Sequence, residues 1–529
     1  MTATDSQRAH LNTAATGPRT VPPAWPKPLR RGEGPVRSSR AGVKAQKCSS
    51  PPRPSDVLRA GTASAPEAVD TATRSDDGIF TRLIHAPVDI ASLAAFRILF
   101  GALMALAMTR FLAKGWVGEL YVAPVFHFTY EGFDWVRPWP GSLMHLHFVL
   151  LTVAAIGVAA GYYYRICITA FFLGFTYVEL IDQTAYLNHY YLISLLSGLM
   201  IFLPANRAWS IDVLRRPDLR LDAVPAWTLN LLRFQIAVVY VFAGLAKLNA
   251  DWLLSAQPLR IWLAARSDMP LIGPFLDSAT AAYVASWCGA VYDLGIVPCL
   301  LHPRTRGPAY LAVIVFHVAT LALFHIGMFP WIMIVVTLLF FSPDWPRRCM
   351  SRIAALVPSS GKWIRLASRP MSADGNPPRR VAAVALPRLT TALLAGYAAV
   401  QLALPLRPYF GKVPSEWSGC GFNLAWRVMI AEKTGFAEFY AFDPATGRRW
   451  KLRTDLTPRQ EVLMAQDPYL IRALARRLSK DLQSQGHARI QVKVDAFATL
   501  NGRPSQRIID SNVDLAGPLA PGWILALNK

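Results

Sequence analysis

Apolar residues in this chain form long blocks that are separated by shorter polar segments. A helix needs roughly 20 apolar residues to cross the hydrocarbon core of a bilayer. Five blocks reach that length, at residues 89–112, 144–162, 227–246, 281–301 and 309–326. Four shorter blocks are weaker candidates, at residues 167–181, 191–203, 329–341 and 381–404. The pattern predicts an all-α polytopic membrane helical bundle of about nine spans.

After residue 406 the pattern changes to that of a small α+β domain, residues 407–529. Residues 435–442 and 449–452 flank an Asp-Pro-Ala-Thr-Gly turn and predict a hairpin. Residues 490–498 alternate between apolar and more polar positions, which predicts a third strand. Two helices are predicted between the hairpin and the third strand. Thr457-Pro458-Arg459-Gln460 is a capping box that begins the first helix, Asp467-Pro468 begins the second, and Gly486 ends it.

The remaining segments are basic and rich in proline. Residues 1–80 contain much Pro, Ser, Ala and Arg with almost no apolar periodicity, which predicts a disordered tail. They contain no apolar signal-peptide core, so we expect the first span to act as the targeting signal. Residues 343–380 are predicted to form a basic loop inside the membrane domain, which we assign to residues 81–406.

Charge predicts the orientation of the spans. The chain carries 55 Lys and Arg against 33 Asp and Glu, a net charge of +22. This excess lies in the tail and in alternate loops between spans, which argues for positive-inside orientation and against a nucleic-acid partner. The basic loops contain Arg207, Arg215, Arg216 and Arg220, then Arg304 and Arg306, and then residues 347–380. We therefore expect a multi-pass plasma-membrane protein with a cytoplasmic N-terminus and an extracytoplasmic C-terminal domain.

The cysteines and histidines predict neither a disulfide framework nor a metal site. The six cysteines have no paired spacing and no CxxC motif. His145 and His147 are two positions apart, which points them to different faces of a helix. No HExxH motif, Cys/His cluster or calcium loop occurs in the sequence, nor a Walker loop, GxGxxG or GxSxG motif.

Polar side chains inside membrane helices are costly and therefore mark candidate chemistry. Lys247 ends the fifth predicted span on its outer side. One interpretation is an anchor whose amine extends to the interface. The other is a desolvated amine, in which burial favours the neutral, basic form. Asp182 and Asp293 leave a proton-driven transporter open as a more distant alternative.

Two further groups offer hydrogen-bond donors. Asn188-His189 lies in a short, tyrosine-rich outer connection on the same membrane face as Lys247. An interfacial aromatic belt explains the tyrosines better than it explains the Asn-His pair. His317 and His325 in and after the seventh span are eight positions apart, so they share roughly one helix face. They are either structural histidines or ligand-binding ones.

Several motifs follow one another in a specific order over most of the chain. The membrane part contains Ala95-Phe-Arg-Ile-Leu-Phe-Gly101, Leu187-Asn-His-Tyr-Tyr191, Ala243-Gly-Leu-Ala-Lys-Leu-Asn-Ala-Asp-Trp252 and Phe324-His-Ile-Gly-Met-Phe-Pro330. The C-terminal part contains Asp443-Pro-Ala-Thr-Gly-Arg-Arg-Trp450, Leu456-Thr-Pro-Arg-Gln460 and Leu500-Asn-Gly-Arg-Pro504. This order resembles the vitamin K-dependent gamma-glutamyl carboxylases and their bacterial homologues, which share the horizontally transferred transmembrane domain.

The resemblance implies quinol-dependent carboxylation. In that family, O2 oxidises reduced vitamin K and yields a very strong base, which removes the γ-proton of a glutamyl side chain. The carbanion attacks CO2, and the quinone leaves as its epoxide. A lysine deprotonates the hydroquinone in an apolar pocket that excludes water, and hydrogen-bond donors stabilise the developing negative charge. For this chain we expect a menaquinol-like hydroquinone as cofactor, O2 and CO2 as co-substrates, no metal, and a bacterial cell.

The resemblance also implies roles for particular residues. The catalytic residues are the base Lys247 and the oxyanion-stabilising pair Asn188 and His189. The quinol-binding residues are His317, Tyr240 and Met328. The residues that contact the glutamyl peptide are Phe422, Trp426 and Met429. We expect the amine of Lys247 to be uncharged in a water-poor cavity, within reach of the quinol and of the Asn-His pair.

Three functions follow from these observations. The leading hypothesis is a quinol-dependent glutamyl carboxylase whose partners are the lipid bilayer, the quinol and a secreted glutamate-containing peptide or protein. Animal members of the family carry two lysines where this chain has Ala246-Lys247, and this chain has no clear propeptide-docking segment. The closest alternative is therefore a quinol epoxidase that does not carboxylate. The third is a non-enzymatic membrane binding protein in which Lys247 is an anchor.

Overall fold

A computed structural model of the protein describes most of the chain beyond the N-terminal tail. The described residues are 83–324, 326–356, 388–487, 489–519 and 521–525. The tail predicted at residues 1–80, most of the predicted basic loop, the start of the ninth predicted span and His325 lie outside the described residues.

Nine apolar helices follow one another in the described part of the membrane domain. They are α1 (Ala91–Ala113), α2 (Ser142–Ala160), α3 (Tyr164–Ile181), α4 (Asn188–Phe202), α5 (Trp227–Ala246), α6 (Ala279–Leu301), α7 (Arg306–Leu323), α8 (Phe329–Thr337) and α9 (Arg388–Ala403). Their ends agree with the predicted apolar blocks to within a few residues wherever the chain is described. The prediction of a polytopic helical bundle is therefore confirmed.

The helices differ in whether they can cross a membrane. Seven are long and apolar enough, with α9 reaching that length through a 3-10 segment that ends at Phe410. α4 has 15 residues, fewer than the roughly 20 that a full crossing needs. After α8 and a 3-10 turn, the helix Trp345–Leu356 bends away by 95°. By length and composition, the described residues hold seven or eight spans.

α1 packs most closely against α2. At Gly101 in α1, an added Cβ would lie 2.5 Å from the backbone nitrogen of Ala159, so only glycine permits this approach. One turn earlier, the fully buried Arg97 donates hydrogen bonds to the carbonyls of Val158 at 3.0 Å, Ala159 at 2.9 Å and Trp209 at 2.6 Å. The guanidinium thereby ties the last turn of α2, where helix carbonyls lack full backbone pairing, to α1.

Two antiparallel sheets lie in the described residues. The smaller joins β1 (Pro87–Asp89) to β2 (Ala223–Pro225). The C-terminal domain has the strand order β4-β3-β5-β6. Its strands are β3 (Lys433–Phe442), β4 (Arg449–Lys451), β5 (Gln491–Leu500) and β6 (Gln506–Arg507). β3 and β5 pair over their full length, with Lys433 opposite Leu500.

Two helices cover this larger sheet, α10 (Pro458–Met464) and α11 (Pro468–Ser484). Thr457 and Gln460 form the predicted capping box, and the Asp467 side chain accepts from the backbone N–H of Tyr469 at the start of α11. Alternate residues of β5 and one face of α11 form a common apolar core. It contains Val492, Val494 and Ala496 from β5 and Ile471, Leu474 and Leu482 from α11. The predicted α+β domain is therefore confirmed.

Polar contacts join the C-terminal domain to the membrane domain. Asp251 follows α5 and accepts hydrogen bonds from Arg503 at 2.6 and 2.8 Å and from Asn501 at 2.7 Å. Asp182, at the end of α3, accepts from Gln460 at 2.9 Å. Two carboxylates of the membrane domain therefore accept hydrogen bonds from side chains of the C-terminal domain. These donors lie 250 to 278 residues later in the sequence, just after β5 and near the start of α10.

We expect Arg503→Gln to weaken this junction. Hydrogen bonds from Arg503 lower the pKa of Asp251 below its usual value. A carboxylate whose pKa is lowered by folding stabilises the protein above its unfolded pKa of about 4 and loses that contribution as the pH falls below it. The variant should therefore lose about 1 kcal/mol of stability near neutral pH. The loss should shrink at about pH 3, as thermal unfolding in detergent would measure.

The matched control is Arg477→Gln. Arg477 pairs with Asp481 one turn later on α11, and both side chains are about half exposed. Such a pair contributes little, so the control should unfold like the wild type at either pH. Equal stability of Arg503→Gln and the wild type near neutral pH would contradict a stabilising role for the junction.

Candidate functional site

Two adjoining cavities lie where the membrane helices meet the C-terminal domain. The lysine cavity measures about 220 Å³ and is lined by Lys247, Asp293, Tyr240 and His317 among mostly apolar side chains. The histidine cavity measures about 800 Å³ and contains Asn188, His189, Phe422 and Arg459. Four residues line both cavities and form the wall between them: Ile326, Phe329, Val428 and Met429.

Lys247 is buried in the lysine cavity. α5 ends at Ala246, and Lys247 is its C-cap residue. The side chain is 7 % exposed, so the amine does not extend to the surface as an interfacial anchor would. Its Nζ donates to the carbonyl of Ala243 at 3.2 Å and to Oδ2 of Asp293 at 2.6 Å, and it lies 5.2 Å from the ring centre of Trp252.

Asp293 is the residue on α6 that pairs with this amine. It is 46 positions away in sequence and also buried. In a low-dielectric cavity, burial disfavours both charges whereas their mutual attraction favours them. The amine and the carboxylate are therefore each other's charge partner in a cavity that offers little water. The sequence names Asp293 only as an intramembrane acid and gives no signal that it meets Lys247.

Tyr240 and His317, which line the lysine cavity, belong to a second polar cluster. The hydroxyl of Tyr240 is 3.1 Å from Nε2 of His317 and 3.4 Å from the hydroxyl of Tyr292. Among the described residues, Nδ1 of His317 is buried without a hydrogen-bond partner. Buried polar atoms usually have partners, so His317 has one ring nitrogen left for a polar group that the protein itself does not supply.

The Asn-His pair opens α4 and lies in the histidine cavity. His189 is 6 % exposed, and its ring packs 4.6 Å from that of Tyr190 and 6.0 Å from that of Phe329. Asn188 accepts a hydrogen bond from the hydroxyl of Tyr186 at 3.2 Å. Burial raises the pKa of Tyr186, which keeps this hydroxyl protonated as a donor.

The structure therefore divides the predicted site residues between the two cavities. The lysine cavity contains Lys247, Tyr240, His317 and Met429. The histidine cavity contains Asn188, His189, Met328, Phe422 and Met429. Lys247 and the Asn-His pair line different cavities, and Phe329, which lines both, has its ring centre 6.0 Å from that of His189 and 5.9 Å from that of His317. Trp426 lines neither cavity: it is fully buried and stacks on Tyr191 with ring centres 5.0 Å apart.

The histidine cavity has an excess of positive charge that the sequence analysis missed. Arg110, Arg427 and Arg459 line it together with a single carboxylate, that of Glu119. Arg427 pairs with Glu416. Arg110 stacks over the ring of Trp116, and Arg459 donates to the carbonyl of Thr184 at 3.4 Å. Neither Arg110 nor Arg459 has a carboxylate partner among the described residues, so the cavity favours anionic groups.

No group of three or more His, Cys, Asp or Glu side chains within the described ranges is arranged to hold a metal ion. The polar side chains that line the two cavities are an amine, two imidazoles, phenols, an amide, guanidinium groups and the carboxylates of Asp293 and Glu119.

Two known family domains match the chain. Residues 85–345 match the HTTM domain, and residues 386–526 match the vitamin K-dependent gamma-carboxylase lumenal domain. No solved structure matches the chain. The two matches follow one another in the order that the sequence motifs predict, and together they cover nearly all of the described residues. The chain therefore belongs to the vitamin K-dependent gamma-carboxylase family.

Proposed function

We propose that this protein oxidises a reduced naphthoquinone in the lysine cavity and uses that reaction to carboxylate glutamyl side chains held in the histidine cavity. The observation that carries the proposal is the buried pair of Lys247 and Asp293, in a small apolar cavity that shares a wall with a larger, positively charged one. An amine that served only as an anchor would have no need of a buried carboxylate.

The lysine cavity suits the head group of a quinol. Its lining is mostly apolar, as a fused aromatic ring requires, and its polar groups are few. Lys247, Tyr240 and the unpaired nitrogen of His317 can hold the oxygens of the ring. When bound and oxidised by O2, reduced vitamin K or a menaquinol supplies a base far stronger than any side chain and leaves as its epoxide.

In this proposal Lys247 accepts the hydroxyl proton of the quinol. The amine can do so only while it is neutral, which requires the proton of the pair to reside on Asp293. The distance of 2.6 Å between Nζ and Oδ2 allows that transfer directly. Asp293 thus acts as the proton store of the base, and the buried surroundings keep water from taking its place.

The four residues that line both cavities would place the quinol next to the glutamyl side chain, with apolar surface around both. Phe329, Ile326, Val428 and Met429 are apolar or contribute apolar surface there. In the histidine cavity, His189 and Asn188 can donate hydrogen bonds to negative charge that develops on the glutamyl side chain and on CO2. Arg110 and Arg459 can bind the carboxylates of an acidic peptide as it approaches.

Quinol epoxidation without carboxylation is the second candidate function. The lysine cavity by itself contains the base, its proton store and the quinol-binding side chains. Trp426, which the resemblance assigns to peptide binding, contacts Tyr191 away from both cavities. A protein that only epoxidises would use the histidine cavity for another purpose.

The proposal includes an orientation. The N-terminus would be cytoplasmic and the C-terminal domain extracytoplasmic, with the boundary between domains near residue 406. Both cavities would then open toward the outer side, where a secreted glutamate-containing protein of a bacterial cell could reach them. The quinol would come from the plasma membrane itself.

We predict that Lys247→Met abolishes quinol epoxidation because it removes the base. It also leaves the Asp293 carboxylate buried without a partner, which typically costs about 3–5 kcal/mol. The double variant Lys247→Met/Asp293→Asn should regain most of that stability without regaining activity. Epoxide formation by chromatography and thermal unfolding of the same samples would measure both effects.

The control for this pair is Lys114→Met. Lys114 is likewise the C-cap residue of a membrane helix, α1, but it is exposed and lines neither cavity. It should retain wild-type turnover. Epoxide formation by the stable double variant at the wild-type rate would remove Lys247 from the mechanism.

We predict that the histidine cavity selects acidic peptides. Arg459→Gln should raise the KM for a glutamate-containing peptide about tenfold, equivalent to about 1.4 kcal/mol, with a smaller effect on kcat. Arg453→Gln, an exposed arginine of the same domain outside the cavity, should leave KM unchanged. Incorporation of labelled bicarbonate into the peptide is the assay. Epoxide formation without any incorporated label in the wild type would favour the epoxidase instead.

A further inference from the structure

A short basic helix lies at the end of the membrane domain that is opposite to the two cavities. α8 begins at Phe329, which lines both cavities, and the 3-10 turn that continues it ends at Phe340. The helix Trp345–Leu356, called the basic helix below, then bends away by 95°. A helix at nearly a right angle to a membrane helix runs along the membrane surface rather than across the bilayer.

One side of the basic helix is fixed to the membrane domain. Arg347 is buried, and its Nε donates hydrogen bonds to Oδ1 and Oδ2 of Asp89 in β1 at 3.1 and 2.9 Å. The guanidinium of Arg347 also lies 5.6 Å from the ring centre of Trp209. Just before the helix, the carbonyl of Pro343 accepts a hydrogen bond from the backbone N–H of Ser92 at 3.0 Å. These contacts hold the helix in one orientation, so its opposite side points in a fixed direction.

The opposite side of the basic helix carries an apolar strip. Cys349, Ile353 and Leu356 are four and three positions apart, so they share one face of the helix. All three are exposed, Ile353 to 49 % and Leu356 to 81 %. Apolar side chains at this exposure are unfavourable in water. A helix that lies in a membrane interface buries such a strip among the head groups and the upper acyl chains.

A basic strip runs beside the apolar one. Arg348 and Arg352 are one turn apart and both are exposed, and the basic helix contains no acidic residue. Arg348 pairs with Asp344 at 3.2 Å, but both side chains are about half exposed, so the guanidinium can bind a second anion. Arginine binds phosphate oxygens strongly, and its apolar stem can lie on hydrocarbon. The two strips together match a lipid whose anionic phosphate adjoins its acyl chains.

We propose that the basic helix is a binding surface for anionic phospholipids of the membrane that the protein spans. Arg348 and Arg352 bind the head-group phosphates, while Cys349, Ile353 and Leu356 lie among the upper acyl chains. Because the helix is fixed to β1 and to the first turn of α1, bound lipid holds that end of the bundle at the membrane surface. This surface is separate from the two cavities and does not depend on the proposed function.

Two cysteines of the chain allow a direct test in vesicles of phosphatidylcholine and phosphatidylglycerol. Either Cys349 or Cys288 is kept, the other cysteines are replaced by serine, and the remaining thiol is labelled with a fluorophore. Bromine atoms on the acyl chains of one lipid at a time quench a fluorophore that they touch. At Cys349 we expect phosphatidylglycerol to bind about fivefold more tightly than phosphatidylcholine. Cys288, within the apolar span of α6, should show equal affinities.

Two double variants test the two strips separately. Arg348→Gln/Arg352→Gln should abolish the preference for phosphatidylglycerol at Cys349 while quenching by phosphatidylcholine remains. Ile353→Gln/Leu356→Gln should instead reduce quenching by both lipids, because the helix then lies less deeply in the interface. All four substituted side chains are exposed, so the fold does not depend on them.

The control for charge is Arg448→Gln/Arg453→Gln, which removes two exposed arginines of the C-terminal domain. It should keep the preference of the wild type at Cys349. The preference should also weaken in about 1 M salt, where exposed charges are screened within about 3 Å.

The results that would overturn this proposal are distinct from those that concern the proposed function. Equal affinities of the two lipids at Cys349 would contradict head-group binding, and so would a preference that survives in Arg348→Gln/Arg352→Gln. Absence of quenching at Cys349, with normal quenching at Cys288, would mean that the basic helix does not touch the bilayer. None of these measurements uses quinol turnover.

Discussion

The ion pair between Lys247 and Asp293 constrains the whole arrangement around it. Burying two opposite charges in an apolar cavity is costly, and their contact at 2.6 Å offsets that cost only while the two groups stay together. α5 and α6 must therefore pack so that an amine at the end of one helix meets a carboxylate within the other. In the proposed mechanism the proton of this pair moves to Asp293, which leaves Lys247 neutral and able to accept the proton of the quinol.

The C-terminal domain contributes part of the lining of both cavities. Val428 and Met429 belong to that part of the chain, yet they line both cavities and separate one from the other. Asp251 and Asp182 fix the domain in this position through donors from Arg503 and Gln460. The presence of both family domains in one chain therefore has a physical reason: without the second, the lysine cavity would lose part of its wall.

Much of the fold follows from local patterns in the sequence. Apolar blocks locate the helices, and cap residues such as Thr457 and Asp467 mark where α10 and α11 begin. The site was predictable only in part. Lys247 and His317 stand out because polar groups inside spans are costly. The pairing of Lys247 with Asp293, and the separation of Asn188-His189 into an adjoining cavity, depend on how helices rotate and pack. No periodicity along one chain encodes that information.

The position of the proton in the Lys247–Asp293 pair is the central claim, and infrared difference spectroscopy measures it directly. Addition of a reduced prenylated naphthoquinone under anaerobic conditions should produce the stretching band of a protonated carboxyl group in the wild type. The band should be absent in Asp293→Asn and present in Lys114→Met. A carboxylate that stays ionised in the wild type when the quinol binds would mean that Lys247 keeps its proton, and that this amine is not the base.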